Sequence, residues 1–157
     1  MFTRFGSSFH GDEYNTGSFK RGKRGEDGMN FNLTETGAFE AEFEFGKIDI
    51  SSNTDIGFRP VQLLVSSLAG CSGGLLKKIL EKKRIVFDTI TIAADIERDE
   101  TEANKVTRIA LHYTVYGTNL SMSQVQKSLD LAVKNCGMIQ SVNGSIEIVE
   151  TIEVQNH

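Results

Sequence analysis

The segment from Pro60 to Lys83 limits what this 157-residue chain can become more than any other. Proline suits a first helical position, where its missing N–H costs nothing. Leu64, Leu68, Cys71, Leu75 and Ile79 then recur at three- and four-residue intervals and line one face of a helix. Lys77, Lys78, Lys82, Lys83 and Arg84 crowd its far end, where cations favour the negative end of the helix dipole. A long helix with an apolar face must be covered by other elements, and the flanking chain provides them.

On both sides the apolar residues alternate, which is the period of a half-buried strand. Phe31 and Leu33 do so, then Phe39, Ala41, Phe43 and Phe45, then Ile48 and Ile50, with Thr36-Gly37 and Gly46-Lys47 as candidate turns. Val86 to Arg98 and Val106 to Tyr116 alternate again, joined by the acidic run Asp99-Glu100-Thr101-Glu102, which reads as a solvated hairpin loop. Asn119 to Ser123 opens a second helix carrying Val125, Leu129, Ala132, Val133 and Cys136 behind a serine or asparagine cap. Gly137 is placed to end it. Ser145 to Val154 is a final strand. Three strands, a helix, two strands, a helix and a strand predict an α+β domain of antiparallel strands over residues 29–157.

Residues 1–28 differ in kind. They hold glycine, serine and the basic cluster Lys20, Arg21, Lys23 and Arg24, with almost no aliphatic side chain. Such a segment cannot bury enough apolar surface to offset its ordering entropy, so a flexible arm is expected, or else Met29 is the working start. The net charge of −4 argues against nucleic acid as the main partner, because phosphate binding needs a basic footprint. No apolar run is expected to span a bilayer, and no secretory signal is recognisable, so a cytoplasmic setting with no membrane partner follows. In that compartment cysteines rest as thiols and oxidise only for a purpose.

Chemistry concentrates on the two cysteines. Cys71 sits mid-helix, and Cys136 closes the second helix. A thiol on an apolar helix face is held protonated by desolvation. A reactive Cys71 therefore needs a cation or hydrogen-bond donors from another segment or subunit. Gly70, Gly73 and Gly74 each cost up to about 1 kcal/mol against alanine in a helix interior, which points to a close backbone approach or a kink beside Cys71. On spacing alone, two small core hydrophobes account for the cysteines as well as a redox pair does. The other candidates are weak. His112 lies in a strand pattern, His10 and His157 lie near the ends, and no metal-ligand spacing exists. Ser66, Ser67 and Ser72 lack a histidine partner, and Gly70-Cys71-Ser72-Gly73-Gly74 lacks the strand-then-helix context and lysine of a phosphate loop. No metal and no cofactor is expected.

Pro60-Val61-Gln62-Leu63-Leu64 followed by Ser67-Leu68-Ala69-Gly70-Cys71 resembles the helix of the OsmC/Ohr family, the osmotically inducible and organic-hydroperoxide-resistance proteins. The proline-to-cysteine distance is reproduced without a gap, and Cys136 falls where that family has its resolving thiol. The resemblance implies an OsmC-like fold, antiparallel sheets around two long central helices in an intertwined homodimer. It also implies a Cys71 thiolate that attacks a peroxide in oxidative stress, a Cys136 thiol that closes a disulfide with it, and an external dithiol reductant. This sequence departs from the pattern in places. Val61 stands where the family's peroxidases carry a glutamate that helps hold an arginine against the thiol, and residues 29–58 contain no arginine. Gln62 and Arg59 are the polar side chains nearest the motif and are the expected binding residues. Gly137-Met138 follows Cys136 in place of the proline common in the peroxidase branches, which draws the chain toward the less characterised OsmC-like branches. The alternative is a non-catalytic dimer that binds a small apolar molecule at the subunit interface; a third reading is a thiol redox sensor.

Overall fold

The computed structural model describes residues 28–157; the arm expected over residues 1–28 lies, Gly28 apart, outside the described residues. The chain runs β1 (Phe31–Leu33), β2 (Phe39–Phe43), β3 (Gly46–Ile50), α1 (Pro60–Lys82), β4 (Thr89–Asp99), β5 (Lys105–Gly117), α2 (Met122–Asn135), α3 (Gly137–Val142) and β6 (Glu147–Asn156). Two three-stranded sheets form, ordered β1-β2-β3 and β4-β5-β6.

The first sheet is an antiparallel meander. Thr34 closes its first turn by taking the Ala38 amide on its side chain at 3.2 Å, with Gly37 at φ 86°. The second turn is Glu44-Phe45, not Gly46-Lys47: Phe43 pairs with Gly46, whose φ of 136° supplies the backbone reversal just after the turn. In register, Phe31 faces Ala41 and Leu33 faces Phe39, while Ile48 and Ile50 pair with Ala41 and Phe39. One face of this sheet is therefore apolar throughout. Its strands make few contacts with other elements of the protomer, and Phe31, Leu33 and Phe39 are about half exposed or more.

The second sheet carries the core. Ile109, Leu111, Tyr113 and Val115 alternate along β5 and are fully buried. They share the core with Leu68, Leu76 and Leu80 of α1 and Val125, Leu129 and Ala132 of α2. β4 and β5 form the expected antiparallel hairpin, with a bulge at Glu97/Arg98. β6 corrects the all-antiparallel expectation. It runs parallel to β5, from Arg108 opposite Glu147 to Gly117 opposite Asn156. The reason is the connection: α2 and α3 cross over the sheet between β5 and β6 and return the chain in its original direction.

α1 is one helix, as the sequence predicts. Gln62 accepts the Arg59 amide on its side chain at 2.9 Å to close the first turn. Contrary to expectation, α1 is by length and composition apolar enough to cross a membrane; in the fold it packs against α2, α3 and β4. Its buried stripe is Val65, Leu68, Ser72, Leu76 and Leu80, one step round from the expected stripe. The helix is apolar on more than one side, so packing decides which face turns to the sheet. Leu64, Cys71, Leu75 and Ile79 are left half-buried at the edge of the core. The glycines give one close approach: a Cβ on Gly73 would meet Ile92 Cδ1 of β4 at 2.7 Å, whereas Gly70 and Gly74 face open space.

Candidate functional site

Ser72 follows Cys71 and turns inward. Its hydroxyl lies 2.8 Å from the Leu68 carbonyl, which can only accept, so Ser72 donates there. The Tyr113 hydroxyl lies 2.6 Å from the same Ser72 oxygen, and with Ser72 already donating, Tyr113 donates to it. Both residues are fully buried. That pair fixes α1 to β5 one residue from Cys71. Burial pushes the Tyr113 hydroxyl up to about 12. The Ser72 bond opposes the shift, while Glu150 and both cysteines add to it.

Cys136 arrives from the other side. It does not end a continuous helix. Its backbone is extended, with φ −78° and ψ 106°, so it both closes α2 and opens α3, and Gly137 is the first residue of α3. This break turns the Cys136 side chain into the core, where it is fully buried. Burial, then the neighbouring Cys71 thiol, pushes the Cys136 thiol up; the backbone amides of Ile139 and Met138 oppose this. Both cysteines are free thiols, Cys71 half-buried and Cys136 buried. The fold thus brings together two thiols that lie 65 residues apart in sequence (136 − 71), with the more accessible one on α1.

Arg59 and Gln62 do not join them within the protomer. Both are exposed at the first turn of α1. Gln62 lies about 13 Å along the helix axis from Cys71, at a rise of ~1.5 Å per residue. Its side chain borders a groove of about 460 Å³ with Lys47, Asp49, Thr54 and Phe58. Gly57 is required in that wall, since a Cβ there would meet the Asp49 carbonyl oxygen at 2.8 Å. His112 is exposed on β5, with Nδ1 2.7 Å from Thr151 Oγ1. Among the described residues, no group of histidine, cysteine and carboxylate side chains is placed to hold a metal ion.

Two further residues carry no functional mark in the sequence analysis: Tyr113, which is influenced by both thiols, and Glu150, which bears on Tyr113. Glu150 has a legible signal. Ile148, Ile152 and Val154 occupy the inward phase of β6, and Glu150 stands in that same phase. It pairs with Leu111, two residues from Tyr113 on the same face of the sheet. One of its carboxylate oxygens is shielded from solvent and has no hydrogen-bond partner. Burial pushes its carboxyl up.

A family model described as OsmC-like protein matches residues 52–151, which is most of the described domain. The chain belongs to the OsmC-like protein family. Protein YhfA of Escherichia coli K12 is 28% identical over 96 residues, covering 60% of this chain and 72% of that protein. The OsmC-like protein from Mycoplasma pneumoniae superposes with a TM-score of 0.74 at 17% identity, over 86% of this chain and all (100%) of that one. An organic hydroperoxide resistance protein from Elizabethkingia anophelis superposes with a TM-score of 0.66 at 14% identity, over 85% of this chain and 100% of that chain. At these identities the structural likeness establishes a shared α+β fold.

Proposed function

We propose that this OsmC-like protein reduces organic hydroperoxides through the Cys71–Cys136 pair, in a reducing cytoplasmic setting and as part of an oxidative stress response. The observation that carries the reading is the placement of the thiols: neighbours in the fold, one half-buried and one enclosed behind it. The Cys71 thiolate attacks the outer peroxide oxygen, the O–O bond breaks, and the alkoxide leaves as an alcohol once protonated. Cys71 is then a sulfenic acid. The Cys136 thiol attacks its sulfur, water departs and a disulfide forms; an external dithiol restores both thiols. Apolar neighbours of α1 favour an alkyl peroxide over hydrogen peroxide. The organic hydroperoxide resistance protein of similar fold supports the same substrate class.

The active unit in this reading is a homodimer. A three-stranded sheet with a wholly apolar face and few contacts in its own protomer requires a covering surface, and a second copy supplies one.

A second reading rests on a separate observation. A groove of about 420 Å³ runs along α1 between Ala69, Gly70, Gly73 and Gly74 on one side and Phe87 and Ile92 on the other. It would hold a small apolar molecule without any thiol chemistry. Mass spectrometry after one equivalent of cumene hydroperoxide separates the two. On the peroxidase reading the wild type loses the two thiol hydrogens, Cys136→Ser accumulates oxidised Cys71, and Cys71→Ser stays inert. Equal, slow oxidation of all three proteins, at the rate of an ordinary thiol, rejects the peroxidase reading in favour of the groove.

A further inference from the structure

α1 has two apolar stripes on which it could seat against the sheet. Leu64, Leu68, Cys71, Leu75 and Ile79 form one; Val65, Leu68, Ser72, Leu76 and Leu80 form the other. They lie one residue apart, about 100° round a helix of ~3.6 residues per turn. Each offers four aliphatic side chains. The first adds a cysteine, a small hydrophobe, and the second a serine, whose hydroxyl is unfavourable to bury. Apolar burial alone therefore favours the first seat, which would carry Cys71 into the core. The protein adopts the second: Ser72 is fully buried, and Cys71 is left half-buried at the edge of the core.

The bond from Ser72 to the Leu68 carbonyl lies within the helix, so it travels with α1 and does not choose between the seats. The Tyr113 hydroxyl does choose. It is fully buried on β5, and its hydrogen-bond partner among the described residues is Ser72 Oγ at 2.6 Å. Turning α1 to the other seat would take that acceptor away and leave a buried phenolic donor unpaired, with the desolvation penalty of that group uncompensated. We propose that Ser72 and Tyr113 are positioning residues for Cys71: their buried hydrogen bond selects the seat of α1 that keeps the Cys71 sulfur within reach of solvent. Fixing one register among several apolar ones is the best-attested use of a buried polar contact. Both residues act through Cys71. The proposal deepens the peroxidase reading and rests on it for the purpose of an accessible thiol.

The test compares the parent with Tyr113→Phe and with the double variant Ser72→Ala, Tyr113→Phe, in the full chain. The double variant removes donor and acceptor together and nearly keeps the shape of both side chains, so its stability in urea should return close to that of the parent. Two thiol readouts should not return with it. The first is alkylation of Cys71 by iodoacetamide at fixed pH, with Cys136→Ser as background. It should slow by about five-fold, the factor that the loss of one hydrogen bond allows, as the thiol turns inward. The second is the equilibrium of the Cys71–Cys136 disulfide against a dithiothreitol redox buffer. It should shift from disulfide to thiols by a similar factor, because a turn of α1 carries the Cys71 sulfur away from its present neighbour. A role in stability alone would restore both readouts in the double variant. If the double variant does not fold, Tyr113→Phe, which orphans no donor, carries the same two measurements. Readouts superimposable on the parent overturn the proposal and leave the seat of α1 to the close approach of Gly73 and Ile92. If peroxide oxidises the wild type no faster than an ordinary thiol, the peroxidase reading fails, while the alkylation rates still decide what holds Cys71 in place.

Discussion

The Tyr113 hydroxyl lies 2.6 Å from Ser72 Oγ, and both groups are fully buried. This one bond ties the central strand to the thiol-bearing helix. Tyr113→Phe keeps the ring and leaves Ser72 bonded to the Leu68 carbonyl, so no buried donor is orphaned. The loss should be about 1 kcal/mol, the net worth of one buried hydrogen bond. The native hydroxyl is held up at about 12 from an ordinary 10.0. A raised value means that the neutral form is favoured in the fold. Its contribution is complete below pH 10 and is lost as pH rises toward 12. Alkaline unfolding should therefore be less steep in Tyr113→Phe. Equal steepness would show that Tyr113 ionises as freely in the folded chain as in the unfolded one.

Arg84 offers a second, independent prediction. After Lys83, the amide of Arg84 bonds to the Glu81 carbonyl at 2.9 Å and that of Ile85 to the Leu80 carbonyl at 3.0 Å. That is a Schellman ending, and it needs a left-handed residue where Arg84 sits at φ 59°. Glycine takes this conformation without the Cβ conflict that arginine suffers. Arg84→Gly should stabilise the protein by about 1 kcal/mol in urea unfolding. A lower midpoint would mean that the arginine side chain makes a contact of greater worth.

The long helix and the strand alternation were legible because each has a strong period, and Pro60 marks the helix start unambiguously. Three features were not. The parallel β6 depends on which side of the sheet α2 and α3 cross, a tertiary fact that alternation at Ile146, Ile148 and Ile152 cannot encode. The break at Cys136 looked like a glycine stop at Gly137, because a backbone that turns extended for one residue and then resumes a helix leaves no compositional mark. The buried stripe of α1 lies one step from the expected one, since leucines lie on several of its sides and the Leu68 carbonyl and Tyr113 hydroxyl together satisfy Ser72 inside the core. Cys71 and Cys136 could be named from sequence; Glu150 carried its signal in the phase of β6, where a carboxylate replaces an aliphatic residue.

The apolar face of the first sheet predicts the consequence of charging it. Leu33 is 67% exposed in the protomer, so Leu33→Glu should leave the protomer folded if nothing covers that face. With a second copy covering it, the wild type should scatter light as a dimer at micromolar concentration. The variant should dissociate, with a lowered thermal midpoint. A wild-type monomer, or a variant dimer of undiminished stability, would remove this face from the interface.

Glu150 makes the last prediction, one of stability. Its carboxyl is pushed up by burial, and its shielded oxygen has no partner. A carboxyl raised in the fold favours the protonated, folded state. The stability it confers is complete below the ordinary value of 4.5 and is lost as pH climbs through the raised value. Among the described residues most carboxylates lie on the surface, so Glu150 should stand apart in its pH response. Glu150→Gln stays neutral at every pH and can donate as well as accept. Its thermal midpoint should exceed that of the wild type at pH 7, and the gap should close as the buffer is taken below the carboxyl range. A gap that is constant with pH would come from packing alone. A variant less stable than the wild type at pH 7 would mean that the ionised carboxylate has a stabilising partner, most directly one supplied by the second copy.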